Sequence, residues 1–289
     1  MKAFAISISL LVSALSMGPA SLAESDSSAP EAPYLGQQEP DAAPDLFAPG
    51  IVSTDSLEIE GVFAPGMEAF YFVRQNPGEA PQTNIVEYRD GVWQASVFGP
   101  RLGEVTFSTD GRTMYLGNSY REKTETGWSE PESLGAAFDP FEIMRLSASA
   151  AGTYVFDERH EVGTIRYSRL VNGERQEPEA FGEQINTGTY TAHPFIAPDE
   201  SYLIWDSNRE GGYGDSDLYI SFRQPDGTWG PAINMGEDIN TPYEDAYGSV
   251  SPDGRVFTFH TVSLGESFAD SFANVFWVDA EIIERLRAQ

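Results

Sequence analysis

The residues best placed for chemistry are carboxylates and a polar loop that turn geometry alone does not require. Glu142 and Glu244 stand eight residues before the turn positions Ala150 and Pro252, so they enter two repeats at equivalent points. Asp206 follows a hydrophobic run and opens Asp206-Ser207-Asn208-Arg209, which continues through Gly211-Gly212-Tyr213-Gly214 to Asp215 and Asp217. Two carboxyl groups on either side of a glycosidic bond act as acid and as base or nucleophile, so Glu142, Glu244 and Asp206 form a candidate set for glycoside hydrolysis. Asp206, Asn208, Arg209, Tyr213, His193 and Glu244 form a candidate ligand-binding set, because the glycines let the backbone approach a bound group closely. Asp215 and Asp217, with nearby carbonyls, offer oxygen ligands to a hard cation such as calcium, and otherwise no cofactor is expected. The plainer reading is favoured in each case: Asp in such turns bonds its own backbone, and channel-facing carboxylates commonly have structural partners.

The three histidines give no metal signature. His160, His193 and His260 fall ten residues after, five before and eight after their turn positions, so spacing assigns them no common site. The chain has no cysteine, which removes thiol catalysis and disulfides together. It also lacks a helix-borne zinc motif, a nucleophile elbow, a phosphate-cradling loop and a dinucleotide fingerprint. Enzymatic activity stays open on these grounds, with the weight on binding without catalysis.

The elements that must position these residues are repeated. Turns recur at Ala64-Pro65-Gly66, Ser108-Thr109-Asp110-Gly111, Ser149-Ala150-Ala151-Gly152, Ala197-Pro198-Asp199-Glu200 and Ser251-Pro252-Asp253-Gly254, with steps of 44, 41, 48 and 54 residues between second positions. After each comes an aromatic, β-branched run such as Phe70-Tyr71-Phe72-Val73 or Tyr202-Leu203-Ile204-Trp205, which suits a buried pleated surface. A third strand follows in four repeats, and near Arg121 to Thr126 the second repeat has only a polar candidate. Asp90-Gly91, Asn172-Gly173 and Asp226-Gly227 then read as tight hairpins, because these pairs accept the positive φ angles of a type I′ turn. Trp93, Trp128 and Trp229 recur at one repeat position, and packing is the favoured reading of that recurrence.

A period of this length built from short strands predicts an all-β fold: a β-propeller of four-stranded antiparallel blades, five by the count of turns, or six if one repeat has drifted. The fifth repeat ends in Asp279-Ala280-Glu281-Ile282-Ile283-Glu284-Arg285-Leu286, a short amphipathic helix with no outer strand before it. Pro33-Tyr34-Leu35-Gly36 resembles the Pro then Leu-Gly endings of other repeats, so the N-terminal segment is expected to close the ring and remove two sheet edges.

Residues 1–23 read as a secretory signal: Lys2, an apolar stretch from Phe4 to Met17, then Ser21-Leu22-Ala23 as a small-residue cleavage site. Residues 24–45 read as a flexible leader and 46–289 as one propeller domain. Periplasmic or secreted location follows, with no membrane insertion and a monomer expected. The formal charge of −28 disfavours nucleic acid and anionic lipid. It suits solubility, or attraction of a cationic partner or a metal.

Ser251-Pro252-Asp253-Gly254-Arg255 before an aromatic strand, and the run Asp206 to Tyr219, resemble the repeats of TolB-like, WD-repeat-like bacterial β-propellers over about residues 33–287. That resemblance implies an exported binding or scaffold module whose partner is an envelope or extracellular protein. Because strand-like repeats begin soon after the leader, no counterpart of TolB's additional N-terminal α/β domain is expected. The rival expectations are a saccharide-active enzyme using channel carboxylates and a calcium-stabilised structural domain.

Overall fold

The computed structural model describes residues 33–289; the expected signal, residues 1–23, and leader residues 24–32 lie outside the described residues. The described chain is nearly all β and is arranged as successive antiparallel meanders. The first contains β2 (Leu57–Phe63), β3 (Ala69–Gln75), β4 (Gln82–Arg89) and β5 (Val92–Pro100). The second contains β6 (Val105–Phe107), β7 (Thr113–Leu116), β8 (Ser119–Thr124) and β10 (Glu132–Ser133), with β9 (Gly127–Trp128) also on β8. In the third, β11 (Leu146–Ala148), β12 (Tyr154–Glu158), β13 (Thr164–Ser168) and β16 (Glu179–Ala180) pair in order, beside a small hairpin of β14 (Leu170–Val171) and β15 (Glu174–Arg175). The fourth is β17 (Tyr190–Ile196), β18 (Tyr202–Asn208), β19 (Asp217–Phe222) and β20 (Ile233–Asn234). The last is β21 (Glu244–Val250), β22 (Val256–Ser263) and β23 (Phe272–Asp279), followed by α1 (Glu281–Arg287).

The first strands adjoin in chain order, β2 beside β6, β6 beside β11, β11 beside β17 and β17 beside β21, and β21 also adjoins β2. This is a β-propeller-like arrangement. The aromatic runs after the turns form the second strands, where Phe70, Phe156, Trp205 and Phe257 are fully buried. Each such side chain contributes about 1.5–3 kcal/mol by leaving water. The core lies between meanders rather than within one. Tyr71 and Ile85 meet Val105 and Met114, Tyr115 meets Leu146 and Phe156, and Val155 and Ile165 meet Leu203 and Trp205. Ile204 and Leu218 meet Phe257 and Val278, with Ile282, Ile283 and Leu286 of the expected helix covering them. Phe63 and Phe70 complete the succession against Val275 and Trp277.

The N-terminal segment does reach the last meander, through a different element from the one its sequence suggested. β1 (Asp45–Leu46) lies antiparallel on β23, with Asp45 opposite Trp277. Tyr34–Gly36 is a short 3-10 turn instead, and its three successive left-handed φ values of 58°, 58° and 81° prevent the segment from running on as an extended strand. Tyr34 is buried there against Trp277, with its hydroxyl donated to Asp253.

Two of the three hairpin expectations hold in detail. Asp90-Gly91 and Asn172-Gly173 have φ values of 52° and 79°, and 53° and 82°. At Asp226-Gly227 only Gly227 is left-handed, at 84°, because the Asp226 carboxylate accepts the Thr228 amide and hydroxyl and holds a different turn. The polar candidate of the second repeat is strand β8. The recurring tryptophans pack: Trp93 against Tyr88, Trp128 against Phe107 and Trp229 against Phe181.

Candidate functional site

Aligning the meanders on their turns brings out one column of residues. Glu60, Glu104, Arg145, His193 and Tyr247 each stand five positions before Pro65, Thr109, Ala150, Pro198 and Pro252. They come from the five adjoining first strands or the residue just before them, and all five are tightly enclosed. Glu60, Glu104, Arg145 and Tyr247 are at most 4% exposed, and the His193 side chain is 15% exposed.

Three of these residues sit in bulges. The register of β2 slips between Ile59 and Val62, that of β17 between Ala192 and Phe195, and that of β21 between Ala246 and Ser249. Glu60, His193 and Tyr247 hold φ values of 61°, 48° and 61° there, a costly conformation for bulky residues. It persists because the surroundings over-determine it. The Glu60 amide donates to His260 Nδ1 at 3.1 Å, that of His193 to Asp157 Oδ2 at 2.8 Å and that of Tyr247 to Asp206 Oδ1 at 3.2 Å. Every acceptor belongs to the second strand of the preceding meander. Behind two of the bulges only glycine fits: a Cβ on Gly61 would lie 2.7 Å from Phe70, and one on Gly248 2.8 Å from Phe257.

The side chains form a charged network. Arg101 donates to Glu60 Oε1 at 2.5 Å and to Glu104 Oε1 at 3.3 Å. His193 places Nδ1 2.9 Å from Asp206 and Nε2 3.5 Å from Glu104. Arg145 lies over the Tyr247 ring, 3.8 Å from its centre. Glu104 Oε2 is buried and has no hydrogen-bond partner among the described residues.

Burial and the nearby Glu104 charge push Glu60 up to about 7, against the pull of Arg101. Burial acts on Glu104 in the same direction, but the His193 and Arg101 cations outweigh it and hold this carboxyl below its usual range. His193 is held well above the ordinary histidine value, because Asp206 and Glu104 outweigh its burial. Burial and the neighbouring cations keep His260 well below that value, which fits its role as a neutral acceptor. The site thus holds a protonatable Glu60 beside an ionised Glu104, with Arg101 and His193 as cations.

A cavity of about 480 Å³ opens on this network, lined by Glu60, Glu104 and His193. Its rim comes from a second column, eight positions before the turns: Leu57, Arg101, Tyr190 and Glu244 all line it. Burial and Asp206 raise the Glu244 carboxyl above its ordinary value. Glu142, the fifth member of that column, does not join them. It precedes the short strand β11 in an exposed loop, and its carboxylate lies 3.7 Å from Arg159. Glu244 and Asp206 therefore belong to one network and Glu142 to the surface.

The remaining sequence-derived candidates are dispersed. Asn208 donates to the Asp215 carbonyl at 2.5 Å. Arg209 bonds the Ile185 carbonyl and covers Tyr219, 4.5 Å from the ring centre. Tyr213 is exposed, and its amide, with that of Gly214, donates to the Asp217 carboxylate at 2.8 and 3.0 Å. Asn234 Nδ2 donates to the same carboxylate. No group of three His, Asp or Glu side chains among the described residues is placed to hold a metal ion. The histidines depart from the spacing argument: His193 and His260 line the same cavity, on either side of Tyr247 at 5.9 and 6.0 Å, while His160 stands apart. A first-strand position and a second-strand position in the repeats differ in spacing from the turn, yet adjoining meanders bring them together. Sequence reasoning missed Glu60, Glu104, Arg101 and Arg145, and the alignment on turns was the signal that could have found them.

No protein-family model matches the chain, and no curated protein matches it. Among solved structures the chain is similar to TolB from Acinetobacter baumannii, at 12% identity and a TM-score of 0.47, over 80% of this chain and 59% of that one. It thus spans less than two thirds of that protein. It is also similar to a GH62 hydrolase in complex with xylotriose (10% identity, TM-score 0.44, 79% of this chain and 91% of that one). A third is the NanB sialidase from Streptococcus pneumoniae (12% identity, TM-score 0.40, 73% of this chain and 35% of that one). At these scores the likenesses carry nothing about chemistry. Among the described residues, no helix is long and apolar enough to cross a membrane.

Proposed function

We propose that this chain is an exported five-bladed β-propeller, with its ring closed by β1 on β23, that works as a binding module without catalysis of its own. The cyclic succession of first strands and of shared core clusters supports the closed ring. Residues 1–23 support export to the periplasm or beyond. The partner is an envelope or extracellular protein that presents a lysine side chain to the charged cavity. The observation that carries this reading is Glu104, an ionised carboxylate 3% exposed whose Oε2 has no donor among the described residues. A buried acceptor left unpaired costs about 1–3 kcal/mol, and an ammonium group from a partner removes that cost. Glu244 on the rim and the overall charge of −28 favour the same sign of ligand.

The test is capture from an envelope extract on the native protein and on Glu104→Gln/Glu244→Gln. A partner held by the native protein and lost by a folded variant is the expected result. Equal capture by both removes the charged cavity from the account.

A second reading, saccharide hydrolysis, is favoured by one observation: Glu60, with its proton held to about 7, shares Arg101 with the ionised Glu104. Turnover of an aryl glycoside that is abolished by Glu60→Gln would establish it. Calcium at Asp215 and Asp217 has the weaker support, because the Asp217 oxygens already accept two amides and an asparagine. A melting temperature that drops on adding a chelator would restore it.

A further inference from the structure

We propose that the opposite end of the channel is a second binding site, one that takes a small carboxylate with an apolar body and holds it on Arg145. A cavity of about 290 Å³ lies there, near the lower end of the range for small-ligand pockets. Its wall contains all five residues that stand three positions before the turns: Val62, Thr106, Ser147, Phe195 and Ser249. The column five positions before the turns thus separates a charged mouth from this largely apolar one.

Arg145 is the anomaly in that wall. It is 1% exposed and makes no ion pair within 4.0 Å among the described residues. Nη1 donates to the carbonyls of His193 and Gly248, both at 3.1 Å, and Nη2 to Ser249 Oγ at 2.5 Å. The flat face rests on Tyr247. Nε is buried with no acceptor among the described residues. A guanidinium whose close partners are all neutral, with one donor unpaired, bears a desolvation cost that a carboxylate would offset. Among the described residues no acidic side chain lines this cavity, so nothing described in the wall competes for that role. Phe107, Phe195 and Val250 supply the apolar surface that fits the ligand's body. A carboxylate must approach a protein of charge −28, so binding is expected at moderate salt, where long-range repulsion is screened.

The experiment is calorimetric titration of the full chain with hexanoate and, separately, with hexanol at about 0.15 M salt. Saturable binding of hexanoate, at least about tenfold tighter than hexanol, is the expected result, the charge-assisted contact being worth more than the neutral one. Val62→Trp adds bulk to the cavity wall without touching Arg145 itself, and should abolish hexanoate binding while the melting temperature is kept. Arg145→Lys should weaken it by about tenfold, since a lysine cannot reproduce the guanidinium geometry. Glu244→Gln, at the other mouth, should leave it unchanged, which separates this site from the lysine-binding one. Absence of saturation, equal binding of hexanol, or undiminished binding by Val62→Trp overturns the proposal.

Discussion

β2, β17 and β21 carry a left-handed residue at the charged network, whereas β6 and β11 do not, although all five described meanders bring the same repeat position there. The difference lies in the preceding meander. His260, Asp157 and Asp206 accept the amides of Glu60, His193 and Tyr247. The residues in the corresponding place before Glu104 and Arg145 are Val73 and Gly117, which offer no side-chain acceptor. At Gly117 a Cβ would lie 2.6 Å from the Ile143 carbonyl, so no acceptor could be placed there. The bulge is therefore a property of a pair of meanders, and the charged network it shapes is assembled between meanders rather than within one.

The strongest way to break this comparison is Asp157→Ala. It leaves three amides without their acceptor, that of Arg145, which is buried, and those of Met144 and His193, which are partly buried. The expected loss is about 4 kcal/mol, read as a fall in the urea midpoint at unchanged slope. An unchanged midpoint would mean that the bulge in β17 does not depend on its neighbour.

The next effect is in pH. The unfolded chain releases the Glu60 proton near 4.5, while the folded protein keeps it to about 7. Between these values the folded state binds the extra proton, so stability falls as pH rises, by up to about 3 kcal/mol, and levels off above 7. Below 4.5 both states are protonated and the contribution vanishes. Glu60→Gln should remove this share of the fall across that window, leaving the smaller slope of Asp157, itself raised to about 6 by burial and the Glu104 charge, and chemical denaturation at a series of pH values measures the difference.

Gly248→Ala probes the backbone of a bulge directly. The added methyl meets the Phe257 ring, so a loss of about 2 kcal/mol is expected in thermal or urea melts. The smallest effect belongs to Glu142→Gln. Its surface pair with Arg159 should be worth less than about 0.5 kcal/mol, and ligand binding should be untouched. A large effect there would return Glu142 to the site.

Local rules made the strands and turns legible. Phe70 to Val73 and Tyr202 to Trp205 announce buried strands by composition, and Asn172-Gly173 announces its turn by backbone tolerance. Pro33–Gly36 misled because its likeness to a strand ending ignored the left-handed φ values that Tyr34 and Leu35 adopt. The charged column was hidden for another reason. Its members are two glutamates, an arginine, a histidine and a tyrosine, so residue type does not recur although position does. The amide of Glu60 depends on His260, 200 residues away, and no local pattern encodes that bond. Glu142 shared the spacing of Glu244, but the loop before β11 carries it outward to Arg159.

Titration of lysine-containing peptides into native protein, Glu104→Gln and Glu142→Gln, with the same peptides acetylated on lysine as controls, tests the central claim most directly. The account predicts binding by the native protein and by Glu142→Gln, a loss of at least about tenfold in Glu104→Gln, and no binding of acetylated peptides. Equal affinity of Glu104→Gln, or acetylated peptides that bind as well as free ones, would contradict it.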